Sequence, residues 1–71
     1  MNTDTTLLKE FGQKVQKRRK ELGISQEELA FRAGFHRTYI GMIERAERNI
    51  TLSNIKRLAN ALQTNMKDLF D

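Results

Sequence analysis

The sequence of 71 residues predicts an all-α fold, a compact bundle of about five short helices. Three observations lead there. Apolar residues recur at helical spacing nearly throughout. Val and Thr are too scattered for alternating strands, and Pro is absent. The length suits one small domain over residues 1–71 with a modest core.

The first helix is expected from about Thr6 to Leu22. Leu8, Phe11, Val15 and Leu22 share a face, and Gly23 follows as a left-handed terminus. The run Lys17-Arg18-Arg19-Lys20 falls in its last turns, where positive charge suits the helix dipole. The same run equally suits contact with phosphate. Arg19 sits on or beside the apolar stripe, four residues after Val15 and three before Leu22, so a structural ion pair is favoured there.

Ser25 opens the second helix. Glu28, three residues later, gives the pattern of a capping box, and Ile24 with Leu29 gives a hydrophobic staple. Leu29, Ala30 and Ala33 point inward, and Gly34 ends the helix. The third helix starts near His36 and runs to about Arg45, with Ile40 and Ile43 as its core residues. A loop spans about 46–50. Thr51 caps a fourth helix whose stripe is Leu52, Ile55, Leu58, Ala59 and Leu62. Gln63-Thr64 breaks it. Asn65 is expected to cap a last short helix holding Met66, Leu69 and Phe70.

Composition narrows the function. Lys plus Arg total 13 against 9 Asp plus Glu, a net charge of +4, which favours partners with negative charge. Ten of the 13 basic residues lie between Lys9 and Arg48. The absence of Cys excludes disulfides and thiolate metal sites. One His, no phosphate-binding glycine loop and no paired acidic cluster argue against an enzyme, a metal site or a cofactor. Glu27 and Glu28 complement the dipole of a first helical turn instead. The apolar runs are too short to span a membrane, and the N-terminus lacks the pattern of a secretory signal, so a cytoplasmic location is expected. The basic first helix is a weak candidate for membrane binding, because its apolar stripe is needed for the core.

The segment SQEELAFRAGFHRTYIGMIER, residues 25–45, reads as two short helices meeting at a tight turn. Gly34 supplies the positive φ of the turn, and Ala30 supplies a small residue where the helices cross. The outer face of the second motif helix carries His36, Arg37, Thr38, Gly41, Met42 and Arg45. Periodicity requires none of them for the core. An α-helix fits the major groove of B-DNA, and the leading residues of a recognition helix reach base edges.

This segment, and in looser form the whole chain, resembles the phage repressor and Cro (XRE) helix-turn-helix family, whose lambda-repressor-like domains bind operator DNA as dimers. SQEELA…AG…RTYI…IER carries the resemblance. HRTYIGMIER…RNITL is most similar to controller proteins of restriction–modification systems. The resemblance implies a homodimeric transcription regulator on a palindromic operator, acting on its own gene and an endonuclease gene, with double-stranded DNA and RNA polymerase as partners. An antitoxin that also binds its operator is the alternative.

Roles follow one residue at a time. Arg37 and Thr38 match base-reading positions, and Tyr39 matches a position near the DNA strand and base steps. Met42 lies one turn further along the groove-facing side. Gln26 matches a residue that touches phosphate and braces the recognition helix. Arg48 and Asn49 match backbone contacts, and Arg45 is a further phosphate candidate. Arg19 and Glu44 match a buried ion pair.

Bland readings stand beside these. Arg37 suits a surface ion pair, Tyr39 suits packing, His36 suits a cap as well as a base contact, and Met42 suits packing as well as contact with a thymine methyl. Three departures stand out. Gln63 occupies the place of a helix-ending Gly, His36 replaces a small polar cap, and Gly41 costs about 1 kcal/mol of helix propensity. Ile50, Leu52, Met66, Leu69 and Phe70 are expected at a dimer interface, which would set two recognition helices about 34 Å apart.

Overall fold

Residues 3–70 are described in the computed structural model, and among them are four α-helices and one 3-10 turn. The helices are α1 (Thr3–Glu21), α2 (Gln26–Ala33), α3 (Arg37–Glu44) and α4 (Leu52–Ala61). The 3-10 turn is Lys67–Leu69. No strand occurs among the described residues, as the scattered β-branched residues predict. The first helix begins earlier than its apolar pattern does, because polar residues extend the turn without joining the stripe. The last element is shorter than expected. Its bonds run from Asp68 N–H to the Asn65 carbonyl at 3.1 Å and from Leu69 N–H to the Met66 carbonyl at 3.1 Å. These bonds span three residues rather than four, the tighter 3-10 pattern.

Helices α2 and α3 have eight residues each. Helices that short do not persist alone in water, so packing must hold them. Leu29, Ile40, Ile43, Leu58, Leu62, Leu69 and Val15 are fully buried and supply that packing. Each such side chain contributes about 1.5–3 kcal/mol of burial. Helix α3 packs on α1 and α2, α4 packs on α2, and the 3-10 turn returns to α1.

Helix α1 approaches the end of α3 closely at Gly12. A Cβ at Gly12 would stand 2.5 Å from the Ile43 carbonyl oxygen and 2.9 Å from that of Glu44. Only Gly allows this approach. Ala30, the small residue expected where α2 and α3 cross, is buried.

The helix starts follow their caps. Ser25 Oγ accepts the Glu28 N–H at 3.0 Å, and Thr51 Oγ1 accepts the Asn54 N–H at 3.2 Å. The reciprocal half of a capping box is replaced. The Glu28 carboxylate accepts from Arg32 Nε at 2.9 Å, a charged partner one turn along.

All four α-helices end alike. The residues at the turn are Gly23, Gly34, Ala46 and Gln63, with φ of 71°, 77°, 60° and 56°. In each case two bonds fold back. Examples are Phe35 N–H to the Ala30 carbonyl at 2.8 Å and Thr64 N–H to the Ala59 carbonyl at 2.9 Å. This is the Schellman arrangement, which satisfies carbonyls that the helix leaves over. Two of the four ends also receive an arginine. Arg57 serves α2, and Arg18 serves α4 by donating to the Leu62 carbonyl at 2.9 Å and the Gln63 carbonyl at 3.2 Å.

Candidate nucleic-acid interface

The start of α3 is a projecting edge. His36 holds the N-cap position with extended backbone, but its imidazole makes no capping hydrogen bond and is exposed. Arg37 and Thr38 follow, both exposed. Arg37 takes part in no ion pair among the described residues. The bland reading of a paired surface arginine therefore finds no partner here.

Tyr39 faces differently. Its ring meets Phe35 edge-on with centroids 4.9 Å apart. Its hydroxyl accepts from Asn54 Nδ2 at 3.0 Å. The Arg48 guanidinium lies 5.4 Å from its ring centroid. Tyr39 is thus half-buried and fixed on three sides, and it ties the loop before α4 to the first turn of α3. Asn49 is exposed beside Arg48.

One expectation for the outer face needs correction. Gly41 is buried, not a bare patch on the groove side. A Cβ there would meet Arg45 Nη1 at 3.0 Å, so the Arg45 side chain lies back over it, one turn along the same helix. Arg45 also pairs with Glu47 at 3.1 Å. That hydrogen bond, and then the charge of Glu47, hold its guanidinium pKa above the ordinary value. Met42 is half-buried.

The other end of α3 is anchored. Glu44 accepts from Arg19 Nε at 2.7 Å and from Arg19 Nη2 at 3.2 Å, a bidentate pair. Gln26 Nε2 donates to the same carboxylate at 2.9 Å. Arg19 Nη1 is satisfied by the Ile24 carbonyl at 2.9 Å. The Glu44 side chain is only 2% exposed. The structure thus joins Arg19, Gln26 and Glu44 in one network that braces the recognition-type helix from α1 and α2. Of the basic run, Arg18 and Arg19 are engaged internally, while Lys17 and Lys20 are exposed.

The apolar residues near α4 divide. Leu69 is 2% exposed and sits in the core, so it is corrected from interface to core residue. The 3-10 turn folds its side chain inward against α1. Ile50 and Met66 are half-buried against the core. Phe70 stacks on Phe11 with centroids 5.2 Å apart, yet keeps 48% exposure. Leu52 is 73% exposed. Sequence reasoning missed Phe31, 81% exposed on α2, although it lies outside the α2 apolar set of Leu29, Ala30 and Ala33. It also missed Arg57, for which no sequence signal existed.

Two abutting short helices, a left-handed glycine turn and an exposed polar edge define a helix-turn-helix protein. The chain belongs to the helix-turn-helix family HTH_3, whose profile matches residues 15–69. The control protein C.BamHI of Bacillus amyloliquefaciens is 50% identical over 62 residues, which span 86% of this chain and 76% of that protein. The crystal structure of the restriction–modification controller protein C.AhdI from Aeromonas hydrophila matches with a TM-score of 0.87 at 46% identity. That match covers 89% of this chain and 96% of C.AhdI. SinR, a master regulator for biofilm formation solved in complex with DNA, matches with a TM-score of 0.81 at 32% identity, over 86% of this chain and 98% of SinR. No helix among the described residues is long and apolar enough to cross a membrane.

Proposed function

We propose that the chain is a sequence-specific transcription regulator of the controller type, acting in the cytoplasm as a homodimer on a palindromic operator. One observation carries the reading: His36, Arg37 and Thr38 stand exposed at the start of a helix braced at its other end. Helix α3 enters the major groove, and Arg37 and Thr38 meet base edges. A bidentate arginine–guanine contact discriminates by about 1–3 kcal/mol. Tyr39 supports that edge and approaches the strand with its exposed part. His36 and Met42 flank it. Gln26, Arg45, Arg48 and Asn49 meet phosphates. For Arg45 this means leaving Glu47, an exposed pair that holds little energy. Regulation of its own gene and of an endonuclease gene, with RNA polymerase as the further partner, belongs to the same proposal and is supported by the likeness to restriction–modification controller proteins.

The test is binding of wild type and Arg37→Ala to DNA from upstream of the chain's own gene, against excess nonspecific duplex at two salt concentrations. Selective binding by wild type that Arg37→Ala reduces to nonspecific affinity is expected. Equal binding by both, changing only with salt, would reduce the basic face to a general phosphate grip.

A further inference from the structure

The turn between α2 and α3 is held from outside by one side chain. Arg57, on α4, donates through Nε to the Ala33 carbonyl at 3.1 Å and through Nη2 to the Gly34 carbonyl at 2.8 Å. Its guanidinium also covers the Phe35 ring, 4.2 Å from the centroid. These are three successive residues of the turn. A Cβ at Gly34 would come within 2.7 Å of Arg57 Nη2, so the glycine also provides the space that the guanidinium fills.

The contacts continue beyond the turn. Phe35 meets Tyr39, in the first turn of α3, and Tyr39 carries Arg48 on its ring. A line of contacting groups thus runs from Arg57 through Phe35 and Tyr39 to Arg48. The N-cap of α3 adds no side-chain bond, because the His36 ring makes none. The direction of α3 is set at this turn as well as by its buried residues, and Arg57 adds two bonds to the backbone bonds that close the turn. A planar fork that bonds two carbonyls while lying on an aromatic face is within reach of arginine and not of lysine.

We propose that Arg57 is a positioning residue for DNA reading: it fixes the α2–α3 turn and so sets where α3 presents Arg37 and Thr38. The proposal rests on the regulator reading above. Arg57 is also exposed, so a direct phosphate contact is the competing role, and the two differ in what they do to salt dependence.

Wild type, Arg57→Ala, Arg57→Lys and the core variant Val15→Ala would be compared on two duplexes. One is the duplex that wild type enriches from a randomised pool, and the other is its scrambled counterpart. Binding is measured across several salt concentrations, at temperatures where circular dichroism shows each variant folded. Arg57→Ala is expected to lose about fivefold or more of the preference for the enriched duplex, the lower end of one bidentate base contact. Its affinity for the scrambled duplex and its salt slope stay as in wild type. Arg57→Lys falls between the two, and Val15→Ala keeps the preference. Should Arg57→Ala fail to fold, Arg57→Lys carries the test with the same direction of change.

A salt slope smaller by about one on both duplexes would make Arg57 a phosphate contact and overturn the proposal. An equal loss of preference in Val15→Ala would overturn it too, by making the effect one of general stability. A wild type with no preference for any duplex would refute the regulator reading, and the proposal with it.

Discussion

At the scale of single residues, Glu44 is the most consequential side chain outside the apolar core. Its carboxylate is withdrawn from water and satisfied by Arg19 and Gln26. Removing one partner of such a pair strands the other charge in a poorly solvated place. Glu44→Ala is therefore expected to cost about 3–5 kcal/mol in chemical denaturation, far above a typical surface change. A loss near that of an exposed pair, under about 1 kcal/mol, would show that Arg19 finds water or another acceptor. Half of this pair is legible in the sequence, because Arg19 interrupts an apolar stripe. The other half is not. Glu44 looks like any helix-terminal acid, and only family resemblance pairs it with Arg19. Arg57 is illegible for a similar reason: its partners are backbone carbonyls, which no sequence pattern marks.

At the scale of elements, the helix ends matter most. Four left-handed turns are made with two glycines, one alanine and one glutamine. A side chain in that conformation costs about 1–2 kcal/mol, and glycine returns part of this as lost chain entropy. Gln63→Gly and Ala46→Gly are each expected to raise stability by about 0.5–1 kcal/mol, read as a higher melting temperature. Unchanged or lowered melting at position 63 would mean that the Gln63 side chain contributes something that offsets its strain. Ser25, Thr51, Gly23 and Gly34 announce their boundaries in sequence, since caps and glycine turns are local chemistry. The turn at Gln63 is visible only as a missing glycine. Ala46 is invisible, because alanine is the best helix former and gives no sign of stopping one. The buried position of Gly41 is equally hidden, because the side chain that covers it comes from the next turn.

At the scale of the whole molecule, the regulator reading requires two copies. The apolar surface left by Ile50, Leu52, Met66 and Phe70 is the proposed contact. Leu52 tests it cleanly, because its side chain is so exposed that a charge there should leave the fold intact. Leu52→Asp is expected to melt like wild type, to sediment as a monomer where wild type is a dimer, and to bind the operator more weakly. A variant that remains dimeric would move the interface elsewhere, with the exposed Phe31 and Leu7 as the next apolar positions to probe. The helical bundle was open to sequence reasoning because apolar periodicity reports burial. Which apolar residues stay outside was not: Leu69 and Leu52 look alike in the sequence, and only the path of the last turn separates them.

The crossing at Gly12 has a consequence for genetics. This residue has no side chain and touches α3 only through its absence, at the end opposite Arg37. Any replacement pushes a carbon into the Ile43 and Glu44 carbonyls, which belong to backbone and cannot swing aside. A screen that scores only loss of repression or activation would place position 12 beside the DNA-reading residues. Scoring protein abundance in the same cells would separate the two groups, because a missing contact with DNA leaves the protein present and a displaced helix does not.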